Sequence, residues 1–249
     1  MDKALVIRIE EAALNAWPAV KQMDYDGWLL RMTGGPSKRI NSVNIRRESN
    51  LPLAQKVGYC EWVYQREQLP LIFRLPEPLT SPELSEGLEK LGYRSFDPTL
   101  VLGKSVISTP ELTQGLDFRQ IPPLDWLAAR SWMMGLPLVA LNYHAAILNL
   151  ILPEKALVCL FEEGQPAACG MAVLQGELLG YFSIYTRPSA RRRGYGRAVM
   201  AALSQWGLER GAQVGYLQVE GDNVPAQAMY KEMGFGRLYG YKYRKCVAK

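Results

Sequence analysis

The chain has one histidine and four cysteines in 249 residues. Cys60, Cys159, Cys169 and Cys246 are widely spaced and form no C-x-x-C pair, which argues against a zinc site or a disulfide framework and suits a reducing compartment. No Gly/Ser linker, low-complexity tract or long block of like charge is present. With 48% hydrophobic and 21% charged residues, the composition is that of a folded chain. The most apolar stretch, GLPLVALNYHAAILNLILP, is interrupted by Asn142, His144 and Asn149 and bounded by prolines, so it is expected to be core helix and not a membrane span. The start MDKALVIRIEEAAL places acidic residues directly after a short apolar run and lacks a small-residue cleavage site, unlike a secretory leader. The expectation is a cytoplasmic protein with no membrane partner and no bound metal. A net charge of +5 favours an anionic partner without saying which.

The length allows one large domain or two of ordinary size. Ser108 to Gly115, STPELTQG, is polar and rich in breakers and lies between the strand-like runs TLVLGKSVI and LDFRQI, so the division is placed there: residues 1–107 and residues 116–249. The second part reads as strand, two helical stretches, three strands (KALVCLFEEG, QPAACGMAVLQG, ELLGYFSIYT), a helix from Gly194, the strand QVGYLQV, the helix VPAQAMYKEM and a pair of short strands in RLYGYKYRKCV. This order predicts an α/β (α+β) fold whose mixed, largely antiparallel sheet is flanked by helices. GLEKLGYRSFDPTLVLG repeats the helix, Gly-aromatic stop and strand of MYKEMGFGRLYGYKYR, which points to an internal duplication; aligned so, Leu88 falls where Tyr230 sits.

The fifteen residues TRPSARRRGYGRAVM, Thr186 to Met200, hold five arginines and two glycines where a strand gives way to a helix. A helix N-terminus offers unsatisfied N–H groups and the positive end of the macrodipole, so it binds phosphate when no side chain blocks the approach. Gly194 and Gly196 remove the side chains, and Arg191 and Arg197 flank them. No G-x-x-x-x-G-K-[ST] exists anywhere in the chain, and Val199 stands at the third position of a G-x-G-x-x-G/A fingerprint. The spacing that fits is R-x-x-G-x-G, carried by Arg191, Arg192, Arg193, Gly194, Tyr195 and Gly196. Together with NVPAQAMYKEMGF downstream (Asn223, Ala226, Tyr230, Gly234, Phe235), it resembles the GCN5-related N-acetyltransferase superfamily from roughly Leu116 to Arg244. DGWLLR and RINSV in the first half resemble a degenerate domain of the tandem type.

That resemblance implies a duplicated acetyltransferase fold, acetyl-CoA as cosubstrate and a small-molecule or peptide amine as acceptor. Backbone groups of Ile184, Tyr185 and Thr186 would pair with the pantetheine arm, the amides from Arg192 to Arg197 would hold the pyrophosphate, and Asn223 would contact the cosubstrate or cap the helix bearing Tyr230. Tyr230 is the candidate general acid, a phenol of pKa about 10 donating to a thiol of pKa about 8.5. Where several relatives place a glutamate, this chain has Gln218, which cannot take a proton; Glu220 points to the same strand face and is the candidate base. His144, in an apolar helix, is expected to be packed or to line the substrate site. Trp126, Trp132 and Tyr143, at helical spacing, are core or pocket aromatics.

The reading is therefore an N-acetyltransferase acting by direct attack of a primary amine in a ternary complex. No cysteine falls in a motif for a covalent acetyl-enzyme. The first half would supply a wall of the acceptor site or the surface of a homodimer. An acyl-CoA-binding sensor without turnover remains open because of Gln218. A nucleic-acid partner is not expected, since the arginines stop once the loop is complete and no aromatic platform follows.

Overall fold

The computed structural model describes residues 2–246. It opens on α1 (Lys3–Ala16), whose first turn is capped by the Asp2 carboxylate accepting from the Ala4 amide at 2.9 Å. A hairpin of β1 (Lys21–Tyr25) and β2 (Trp28–Met32) turns at Asp26 and Gly27, both at positive φ, the conformation a two-residue hairpin loop requires. β3 (Val43–Ile45), α2 (Leu53–Arg66), β4 (Ile72–Pro76), α3 (Pro82–Lys90) and β5 (Tyr93–Ser105) complete the first half.

The second half begins with β6 (Asp117–Gln120), α4 (Pro123–Met134) and α5 (Asn142–Leu150). It then repeats the first half's order: β7 (Glu154–Glu162), β8 (Gln165–Gln175), β9 (Leu178–Thr186), α6 (Tyr195–Leu208), β10 (Val214–Glu220), α7 (Val224–Glu232) and β11 (Gly236–Cys246). The β7–β8 hairpin also turns at an acidic residue and a glycine at positive φ, Glu163 and Gly164. Leu88 and Tyr230, at matching places on α3 and α7, are both turned inward.

Among the described residues all strands lie in one 11-stranded sheet ordered β1-β2-β3-β4-β11-β5-β10-β9-β8-β7-β6. β3 and β4, and β9 and β10, pair in parallel; the other neighbours are antiparallel. This is the mixed, largely antiparallel sheet that the element order predicts. The middle is not in chain order: β11, from the end of the chain, pairs with β4, while β5 pairs with β10. Each half thus gives its last strand to the other half's sheet.

RLYGYKYRKCV is one strand and not the two short strands expected. β11 continues through it, with register shifts against β5 between Arg237 and Tyr239 and between Tyr241 and Tyr243, so irregularity that reads as a break in sequence is absorbed by bulges.

Three packed clusters cover the sheet. α1, α4 and α5 bury Ile9, Trp126 and Ile147 against Met171, Phe182 and Tyr216. α6 and α7 bury Val199, Leu203 and Tyr230 against Val158, Leu179 and Leu217 on the opposite face. In the first half α2 and α3 bury Val57, Cys60 and Leu88 against Trp28, Phe73 and Tyr93. Cys60, Cys159 and Cys169 are buried and Cys246 is exposed. The apolar stretch forms a 3-10 turn (Leu138–Leu141) leading into α5, bent by 117° from α4; among the described residues no single helix is long and apolar enough to cross a membrane.

Candidate active site

The site begins where two parallel strands part. β9 and β10 pair from Leu178 and Val214 as far as Tyr181 and Leu217 and no further. Beyond that point Ser183 sits at φ 54°, and β9 slips register against β8 between the Cys169 and Met171 pairings. This bulge turns β9 away from β10. The strands splay around a cleft of about 420 Å³ whose walls come from both halves: Ile184, Glu220, Asn223 and Tyr230 from the second, Trp17, Lys38 and Arg39 from the first.

At the far end of β9 a 3-10 turn (Pro188–Ala190) leads to Arg192 and Gly194, both at positive φ, and into α6. Gly194 is the N-cap residue and offers no capping side chain, so the helix end stays uncapped from within. The amides of Arg191 and Ala198 donate to the carbonyls of Pro188 and Gly194. Among the described residues, the six amides between them, Arg192 to Arg197, have no protein acceptor. Gly196 keeps the approach narrow but open, since a Cβ there would lie 3.2 Å from Met229 Sδ and 3.6 Å from Thr186 Oγ1. A run of unsatisfied donors at a helix N-terminus, cleared by glycine, fits a pyrophosphate.

The arginines divide the work. Arg193 is paired with Glu162, which also accepts from Tyr195 Oη at 2.6 Å and lies 3.6 Å from Arg187. Arg197 is paired with Glu232. Those contacts brace the loop against β7 and α7. Among the described residues, Arg191, whose Nε donates to the Thr186 carbonyl at 3.4 Å, and Arg192 have no carboxylate partner, which leaves their charge for a bound anion.

Tyr230 projects from α7 into the cleft with 9% of its surface exposed, edge-on to Phe235 at 5.9 Å. Among the described residues its hydroxyl has no hydrogen-bond partner. Burial pushes it up to about 12, so it holds its proton across the neutral range. Asn223 caps α7, its Oδ1 accepting from the Ala226 amide at 3.2 Å, and also lines the cleft. Ile184 faces the cleft and packs over Gly170, whereas the Tyr185 ring turns to the α4 side, its hydroxyl reaching the Met133 carbonyl at 3.5 Å.

Gln218 and Glu220 share one face of β10 but differ in setting. Gln218 Oε1 accepts from Tyr241 Oη at 3.0 Å and from Arg39 Nη1 at 3.5 Å, so it is held between the two halves. Glu220 lies at the exposed end of β10 on the rim, with no ion pair among the described residues. His144 is 7% exposed, edge-on to Trp17 at 5.2 Å and beside the Tyr143 ring at 4.2 Å. Burial, with Arg130 and Arg39 nearby, holds it down at about 4, so it is neutral at pH 7 and a poor base. Trp126 is core, its Nε1 donating to the Val158 carbonyl at 3.2 Å; Trp132 is half exposed, with Arg187 over its ring. Of the three aromatics, Tyr143 lines the cleft.

Sequence reasoning names neither Arg39 nor Arg130 as a site residue. Arg39 opens RINSV, and Asn41 in that segment fixes the loop carrying it by accepting from the Thr33 and Gly34 amides and donating to the Gly34, Gly35 and Ser37 carbonyls. The loop then meets α5: a Cβ at Gly35, which sits at φ +69°, would lie 3.0 Å from the Tyr143 ring.

The family model described as "Probable histone acetyltransferase Rv0428c C-terminal" matches residues 4–244, nearly the whole chain. "Uncharacterized N-acetyltransferase YobR" of Bacillus subtilis (strain 168) is 26% identical over 243 residues, covering 95% of this chain and 97% of that protein. Among solved structures, a GCN5-related N-acetyltransferase from Kribbella flavida shares the fold with TM-score 0.72 at 16% identity, covering 98% of this chain and 96% of that one. A tandem GNAT protein from the clavulanic acid biosynthesis pathway does so with TM-score 0.63 at 12% identity, over 89% and 78% of the respective chains. The chain belongs to the acetyltransferase family whose model spans it.

Proposed function

We propose that this family member transfers acetyl from acetyl-CoA to a primary amine by direct attack within a ternary complex. The observation that carries the reading is the run of six unpartnered amides from Arg192 to Arg197 at the end of a strand that splays from its neighbour beside an unpartnered Tyr230 hydroxyl. Those amides, with Arg191 and Arg192, would hold the pyrophosphate, and the unpaired edge of β9 through Ile184 to Thr186 would hold the pantetheine arm. Bound there, acetyl-CoA supplies a thioester carbonyl. Tyr230 holds on Oη the proton that a departing thiolate takes. Glu220 accepts the proton from the incoming ammonium, directly or through water, at the solvent edge where the amine arrives. The protein would work in the cytoplasm.

Isothermal titration of acetyl-CoA into wild type and Gly196→Trp, followed by thiol release against a mixed amine panel, tests this. Micromolar or tighter binding that is lost in the variant, with thiol release, is expected. Absence of binding in the wild type would overturn the proposal. Binding without thiol release from any amine would favour an acyl-CoA sensor, the reading that the neutral Gln218 at the usual glutamate position supports.

A further inference from the structure

The lining of the cleft carries positive charge that has not been balanced from within. Arg39 and Arg130 both line it, one from each half of the chain, and among the described residues neither has a carboxylate within ion-pair distance. Arg39 lies over the Trp17 ring at 5.2 Å, and its contact from an acceptor atom in the cleft is the 3.5 Å one to Gln218 Oε1. Arg130 gives Nη1 to the Ser183 carbonyl at 3.0 Å at the bulge of β9, with Tyr185 and Trp126 rings at 5.5 and 5.7 Å. Its Nε is buried and unpartnered.

The other charges nearby do not cancel them. Lys38 and Asp97 pair with each other at 2.5 Å, and Glu220 stands at the exposed rim. Glu10, which shares a small neighbouring cavity with Arg39 and Gln218, is committed to Arg74 and to Tyr239 Oη at 2.5 Å. Tyr143 and His144 line the same cleft near both arginines, and the histidine stays uncharged.

Gln218 gives this arrangement its meaning. It is the cleft residue of β10 whose side chain reaches Arg39, and a glutamate there would neutralise the guanidinium. The chain carries the isosteric amide instead, which keeps Arg39 in place through one neutral contact and leaves its charge uncompensated. A partly desolvated guanidinium without a counter-ion costs free energy that a bound anion returns, and the planar fork of Arg matches a carboxylate.

We infer that Arg39 and Arg130 form a carboxylate subsite in the acceptor cleft, so that the accepted amine is one that also carries a carboxylate. The inference rests on the acetyltransferase reading for what happens to the amine, but not for the anion site itself. Gln218, in this arrangement, is a positioning residue that holds Arg39 without discharging it.

The test compares matched pairs, the free amino acids against their decarboxylated amines and their amides, by titration into the CoA-saturated protein and by thiol release with acetyl-CoA. In the wild type at least one amino acid is expected to bind, and to show a KM, about tenfold or more below that of its decarboxylated partner. Arg39→Gln, Arg130→Gln and Gln218→Glu should each remove most of that preference, and in Arg39→Gln and Gln218→Glu the acetyl-CoA Kd should stay within about twofold, since neither residue touches the Arg192–Arg197 amides or the Ile184–Thr186 edge of β9. Gln218→Glu is the sharpest of them, because it adds a carboxylate beside Arg39 without removing either arginine. Should an arginine variant not fold, Gln218→Glu and the wild-type matched pairs still decide. Equal KM and Kd for amino acids and their decarboxylated partners in the wild type would overturn the subsite, even with brisk acetylation of other amines. Carboxylate binding that Gln218→Glu weakens, without thiol release from any amine, would keep the subsite and overturn the transferase.

Discussion

Burial keeps two titratable side chains in the cleft uncharged at neutral pH, one by holding its proton and the other by losing it. Tyr230 is a donor held protonated by burial, at about 12, so its proton remains available well above the pH at which a thiol ionises. Tyr230→Phe removes the hydroxyl but keeps the ring against Phe235. Stopped assays at saturating substrate should find kcat reduced by about 10²-fold or more with the acetyl-CoA Kd changed less than about twofold, and unchanged kcat would remove Tyr230 from the acid role. His144 is neutral because its proton is expelled. Its folded pKa, about 4, lies below the unfolded value of 6.5, so between those two pH values the unfolded chain binds more protons than the folded one. The contribution is fully present above pH 6.5 and is lost as pH falls through 6.5 toward 4, by up to about 3 kcal/mol at the acid end. Urea midpoints of wild type and His144→Phe, measured from pH 7 to 4.5, should show the wild type losing more stability on acidification. Parallel curves would mean that His144 is not the group titrating.

At the scale of elements, the exchange of β5 and β11 ties the two halves. Val101 of β5 lies in the cluster under α1 and α4, while Leu102 and Val106 lie in the cluster under α6, so the second half's core contains residues supplied by the first. Residues 1–107 expressed alone would leave β4 without β11, and residues 116–249 would lack the strand between β10 and β11. Each piece would expose long unpaired strand edges, so each should be insoluble or unfolded by circular dichroism, while co-expression should give a soluble complex that binds acetyl-CoA. A folded, acetyl-CoA-binding 116–249 fragment would show that the exchange is dispensable. Nothing in the sequence announces the exchange. The alternation in TLVLGKSVI and in RLYGYKYRKCV reveals strands and their buried faces, but each segment suits either neighbour equally, and the choice depends on how far Ser108 to Gly115 lets the chain reach. The anion loop and α7, by contrast, are legible because their chemistry is local: glycines clear a helix start, and Asn223 caps the helix whose inner face carries Tyr230. Arg39 and Arg130 escape a linear reading because an arginine's availability depends on which carboxylates folding brings near it, and among the described residues folding brings none within ion-pair distance.

For the whole molecule, the duplication raises the question of how many acyl-CoA molecules one chain binds. The first half has the same hairpin, strand, loop and helix as the second, but its loop is already filled. Asp26, at the β1–β2 turn, accepts from the amides of Asn50 at 3.0 Å and Leu51 at 2.9 Å just ahead of α2, with Lys56 Nζ 3.3 Å away. Those backbone donors hold its carboxyl down at about 2, so the loop carries its own anion throughout the neutral range. In the second half the acidic residue that meets the loop is Glu162, at the end of β7 just before the Glu163–Gly164 turn, and it engages the side chains of Arg193 and Tyr195 and leaves the amides free. Leu88 in place of Tyr230 also removes the acid from the first half. Titration calorimetry should therefore give one acetyl-CoA per chain. Gly196→Trp should abolish the single binding event and uncover no weaker one. A stoichiometry of two, or residual binding in that variant, would mean that Asp26 yields its amides to a phosphate and that both halves hold cosubstrate.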